Sequence, residues 1–98
     1  MVKIEPGAVY VKNPDVVFRS IADEFVLVPI RQKAVDLRSI YTLNETAAFV
    51  WGSLDGAKTV KEVADKVSGE FDADPSCVVS DVSEILFQLE TLSFIKKT

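Results

Sequence analysis

The apolar pattern of this chain changes period once, at Leu43–Asn44. Before that point, runs rich in β-branched and aromatic residues follow one another with a period near two. After it, apolar residues recur every three or four positions. A single switch of this kind within 98 residues commits the chain to a small sheet followed by packed helices, an α+β arrangement. A chain of this length buries roughly 60–65% of the surface it exposes when unfolded, enough for one core and not for two. Residues 1–98 therefore read as a single domain.

Residues 1–15 carry Pro6, Gly7, Asn13 and Pro14 and read as an N-terminal arm, with a short extended piece over Ala8–Lys12. Val16–Ile21 and Glu24–Ile30 are two strand-like runs separated by Ala22-Asp23, which predicts a hairpin. The turn has no glycine, so its type stays open. Pro29 lacks an N–H and favours the end of the second strand. After a polar stretch, Leu37–Leu43 predicts a third strand. Leu37, Ser39, Tyr41 and Leu43 would share one face, and Arg38, Ile40 and Thr42 the other.

Three helices follow. Asn44 is placed to cap the first, with Glu45 in its opening turn and Ala47, Val50, Trp51 and Leu54 at helical spacing. Asp55-Gly56 ends it, Gly56 being suited to a left-handed C-terminal position. Thr59 and Glu62 form a capping-box pattern ahead of the stripe Val60, Val63, Ala64, Val67 and Phe71. Asp74 and Pro75 read as cap and first residue of the third helix, whose stripe is Val78, Val82, Ile85, Leu86, Leu89 and Leu92. Residues 93–97 close the chain as a short strand or wing. The expected architecture is an N-terminal three-stranded antiparallel sheet followed by three helices, a winged helix-turn-helix-like domain.

Composition removes several function classes. The chain has no histidine and a single cysteine, Cys77. Imidazole acid–base chemistry, histidine metal sites and Cys-rich zinc sites cannot be built from this inventory. No phosphate-cradling glycine motif or nucleophile elbow occurs. The expectation is a non-catalytic protein with no metal and no cofactor. No apolar run approaches transmembrane length and no signal-peptide pattern opens the chain, so a reducing cytoplasm is the expected compartment. A winged-helix fold raises DNA binding as a rival. Against it, no Lys or Arg lies between Val67 and Ile95, while Glu70, Asp72, Asp74, Asp81, Glu84 and Glu90 do. A third helix of that charge is repelled by phosphate. A structural or oligomerisation module is the other alternative.

The string Leu43-Asn44-Glu45-Thr46-Ala47-Ala48, then Trp51, Leu54-Asp55-Gly56, Thr59 with Glu62, and Asp81-Val82 through Leu86 and Leu89, resembles the PqqD family over residues 16–95. The resemblance implies a peptide-recognition module. Such a protein holds the leader of a ribosomally made precursor peptide and presents it to a maturation enzyme. In pyrroloquinoline quinone biosynthesis that enzyme is of the radical S-adenosylmethionine type. The leader would add as a strand beside the third strand and lie against the third helix. Two departures stand out: Ser93 occupies a position where the family often has glycine, and Phe87 one where a polar residue is usual.

On this reading the peptide-binding residues are Leu37, Arg38, Ser39, Ile40, Tyr41, Thr42 and Leu43 on the strand, with Val78, Val79, Val82 and Leu86 on the helix. Strand addition uses main-chain groups that any sequence supplies, so no side-chain motif needs to mark it. Val79, at the edge of the helical stripe, is expected to line the groove together with Leu86. Arg31, Lys33 and Arg38 would attract an acidic peptide segment.

Overall fold

Ala22 and Asp23 both adopt positive φ, 49° and 69°. A two-residue loop with both residues in that region is a type I′ turn, whose twist matches the strands it joins. It sets the register of the hairpin between β2 (Val16–Ile21) and β3 (Glu24–Pro29), from Ile21 opposite Glu24 to Val16 opposite Pro29. The computed structural model describes residues 4–30 and 40–98. Within them the order is β1 (Tyr10–Lys12), β2, β3, β4 (Tyr41–Leu43), α1 (Glu45–Ser53), α2 (Val60–Phe71), α3 (Pro75–Thr91) and β5 (Ile95–Lys97).

The sheet order is β2-β3-β4, antiparallel throughout, so among the described residues β4 is an edge strand. It covers only the C-terminal part of the predicted third strand. Ile40 precedes it, and Leu37, Arg38 and Ser39 lie outside the described residues, as do Arg31 and Lys33.

The segment expected to be an arm is packed into the fold. Ala8 and Tyr10 are buried, and β1 pairs with β5 in a second, two-stranded antiparallel sheet. The chain ends thus close on each other, and Val60 and Lys61 donate backbone hydrogen bonds to Ala8 and Pro6.

The helix boundaries follow the caps. Asn44 Oδ1 accepts from Ala47 N at 2.8 Å. Thr59 Oγ1 accepts from Glu62 N, while Glu62 Oε1 accepts from Thr59 N, completing the capping box. These bonds hold the Glu62 carboxyl below its ordinary pKa, and bonds from Ser76 do the same for Asp74 at the start of α3. Gly56 does have positive φ, +79°, but it stands in the turn beyond Leu54, which caps α1 in an extended conformation. The Cβ of any other residue at Gly56 would sit 3.0 Å from the Val11 side chain.

One core joins all of this. Leu27, Val50, Val63, Val67, Val82, Leu86 and Leu89 are fully buried, and Trp51 is 4% exposed beneath the Lys12 ammonium, 5.5 Å from its ring. Leu92, placed in the buried stripe by spacing, is instead 44% exposed. It is the residue that caps α3, so the helical stripe has ended.

After Leu92 the chain turns sharply. Ser93 N donates to Glu90 O and Phe94 N to Leu89 O, the bond pair of a Schellman motif, with Ser93 left-handed at φ 63°. This turn buries Phe94 and aims Ile95 into the core. A serine there carries a Cβ penalty that glycine does not. Ser93→Gly should therefore stabilise the protein by about 0.5–1 kcal/mol, seen as a rise in Tm of several degrees in a thermal melt.

Candidate functional site

The polarity of β4 follows from the hairpin. Ile30 N donates to Asp15 O at 2.8 Å, extending the β2–β3 ladder one pair beyond Val16 and Pro29. Hydrogen-bonded pairs alternate along an antiparallel ladder. Glu24, Val26 and Val28 therefore turn their main-chain groups to β2, and Phe25 and Leu27 turn theirs to β4. Phe25 faces Leu43, Val26 faces Thr42 and Leu27 faces Tyr41. Tyr41 and Leu43 thus bond to β3, while the N–H and C=O of Thr42 point to the open edge. Ile40, two residues earlier, has the same parity.

Side chains alternate in the other sense. Leu43 is buried, Tyr41 is half-buried against the core, and Thr42 is exposed. Tyr41 is the link between the strand and α3. Its hydroxyl donates to Gln88 Oε1, its ring meets Phe94 edge-on with centroids 6.5 Å apart, and burial raises its pKa.

Beside this edge lies a groove of about 350 Å³ between β4, the start of α1 and α3. Tyr41, Thr42, Asn44 and Thr46 form one wall; Asp81, Glu84, Ile85 and Gln88 form the other. Past the Tyr41–Gln88 bond it continues into an apolar depression of about 320 Å³ lined by Tyr41, Phe87, Gln88, Thr91 and Leu92. A depression of about 420 Å³ between Lys12, Pro14, Glu90 and Lys96 involves no residue of β4.

The helix residues expected to bind peptide are placed otherwise. Val78, Val82 and Leu86 are core residues, exposed by 4%, 0% and 0%. They support the groove from beneath and offer no surface to it. Val79 is 49% exposed, but it stands nine positions before Gln88. At about 100° per residue, nine positions place two side chains on opposite sides of a helix. Val79 therefore flanks the core stripe on the side away from β4. The stripe borders two open flanks, and spacing alone does not say which one the sheet approaches. The groove residues missed from the sequence, Asp81, Glu84, Ile85 and Gln88, share one helix face at three- and four-residue spacing, but mostly polar residues on one face read as ordinary solvated surface. Phe87, off the stripe, is 46% exposed and does line the groove's apolar end.

Among the described residues, no set of three or more Asp, Glu, His or Cys could hold a metal ion. Asp81 and Glu84 have no salt-bridge or side-chain hydrogen-bond partner there. Among the same residues, no helix is long and apolar enough to cross a membrane.

Comparison with known proteins gives a consistent picture. The sequence profile of the family described as Coenzyme PQQ synthesis protein D (PqqD) matches residues 24–95. The fold is shared with the solution structure of the PqqD truncation of Methylobacterium extorquens PqqCD, described as a functional, stand-alone recognition element for ribosomally synthesised and post-translationally modified peptides. The TM-score is 0.76 at 21% identity, covering 97% of this chain and 96% of that one. It is also shared with TbiB1 in complex with the TbiA(beta) leader peptide, at a TM-score of 0.70 and 22% identity over 88% and 94% of the two chains. A lasso peptide synthetase B1 complexed with its leader peptide gives 0.71 at 17% identity over 89% and 96%. No curated protein matches the chain.

Proposed function

Because the chain belongs to the PqqD family, a family of non-catalytic peptide-binding domains, we propose that it is a leader-peptide recognition domain. Residues 1–98 would act as one unit that binds the leader of a ribosomally made precursor and presents it to a maturation enzyme. That enzyme would be of the radical S-adenosylmethionine type, as the family's role in pyrroloquinoline quinone synthesis suggests, and the setting the reducing cytoplasm, where the exposed Cys77 thiol stays free. The single observation that carries the reading is the edge of β4, open among the described residues, beside the α3 groove. An unpaired strand edge supplies main-chain donors and acceptors, and a neighbouring groove supplies side-chain selection. Two fold neighbours are described as bound to leader peptides, which supports the same reading.

DNA binding is the weaker reading on charge. The exposed face of α3 carries Asp81, Glu84 and Glu90, and the helix has no basic residue.

The test is a titration of isotope-labelled protein with peptides from the short reading frames encoded beside its gene. A bound leader should shift the amides of Tyr41, Thr42 and Leu43 and of the groove face of α3. Ile85→Asp should weaken that binding by about 1–3 kcal/mol, the cost of burying an unpaired polar group, and Val79→Asp should leave it unchanged. Failure of every such peptide to bind, with or without the maturation enzyme present, would overturn the reading.

A further inference from the structure

The groove beside β4 differs chemically from one end to the other. At the end near α1, its charged lining consists of Asp81 and Glu84, neither with a partner among the described residues. The N-terminal turn of α1 adds Asn44, Thr46 and Ala47, and the charged residue of that turn, Glu45, is also acidic. Asn44 Oδ1 is already occupied by Ala47 N, so it offers the groove little further acceptor strength. At the other end, beyond Tyr41, the lining is Phe87, Gln88, Thr91, Leu92 and the Tyr41 ring. The two ends lie side by side along α3. From the Asp81–Glu84 pair to the Phe87–Leu92 region is roughly 10 Å at 1.5 Å per helical residue. An extended chain covers that in about three residues. Only alternate side chains of an added strand face the helix, so the two that reach these ends stand two or four residues apart.

We propose that the occupant of this groove is a peptide strand carrying a cationic side chain, Lys or Arg, over Asp81 and Glu84, with a large apolar side chain two or four residues away against Phe87 and Leu92. This rests on the strand-addition reading above and specifies the peptide it selects. Charge complementarity carries the cationic end. Two carboxylates lining the same groove repel an acidic residue there and gain from a basic one, an attraction that salt screens because both side chains are exposed. The sign is opposite to that expected from Arg31, Lys33 and Arg38, because the groove wall on α3 is acidic while those residues precede β4 in the chain.

The probe is a displayed library of random 15-residue peptides selected on the full chain, with selected peptides then synthesised and mapped through the Thr42 amide. Peptides that shift Thr42 should be enriched in Lys or Arg at a spacing of two or four from a large apolar residue. An Asp81→Asn, Glu84→Gln double variant, with an unchanged thermal melt as folding control, should bind them at least tenfold more weakly. Replacing the peptide's cation by Gln should remove most of that difference, and the affinity gap should shrink as salt is raised. Selected peptides that shift Thr42 but are acidic, or lack a cation at that spacing, would overturn the inference and leave the recognition reading standing. A selection in which no peptide shifts Thr42 would overturn the recognition reading, and the inference with it.

Discussion

Leu86→Ala should destabilise the protein by about 2–5 kcal/mol, the range for deleting a fully buried leucine side chain. Leu86 has no exposed surface and belongs to the core cluster with Val82 and Leu89 on α3 and Leu27 and Leu43 on the sheet. The loss combines the transfer free energy of the deleted carbons with the cavity left where helices and sheet meet. For a domain with a single core this is a large share of the usual 5–15 kcal/mol. A urea titration monitored through Trp51 would read it. Intrinsic peptide affinity, measured at a temperature where the variant is still folded, should change much less, because Leu86 supports the groove from below. A near-normal midpoint combined with lost affinity would mean that Leu86 meets the peptide directly, against its burial.

Thr42→Pro should separate binding from folding at a single position. The Thr42 N–H points to the open edge of β4, so proline there removes no bond of the β3–β4 ladder, and an outward-facing edge position is one where proline is tolerated. An added strand would lose its donor, and its own carbonyl would be left unpaired. That costs about 1–3 kcal/mol, roughly 5- to 150-fold in affinity. Leu43→Pro makes the contrast: Leu43 is buried and bonds toward Phe25, so this change should break the ladder and melt the sheet. Calorimetric titration with circular dichroism on both variants checks the pair. Full affinity in a folded Thr42→Pro protein would show that peptides do not pair along β4.

What local chemistry decides was legible in the sequence. Asn44, Thr59 and Asp74 cap α1, α2 and α3 because their side chains bond amides two or three residues away. Trp51 and the stripe of Val78, Val82, Leu86 and Leu89 are buried because an amphipathic helix has only one apolar face to bury. The hairpin was readable, but its turn type was not. Ala22 carries no turn signature, and its positive φ is imposed by the strands that Ala22-Asp23 joins.

The sequence by itself determined the sheet-then-helices order, the caps, the core stripe and the absence of imidazole chemistry, since each depends on residues close together in the chain or on what the chain does not contain. Tertiary structure alone decided three things. It paired β1 with β5 across the length of the chain, turning an expected arm into part of the fold. It left Thr42's main-chain groups open, because β3 is already paired with β2 on its other side. It also chose which flank of α3 faces β4, giving the groove to Asp81, Ile85 and Gln88 and turning Val79 away. A helix carries its apolar stripe in its own sequence. Which edge of that stripe meets a sheet depends on how the helix is rotated and docked, and that is fixed only when the whole core closes.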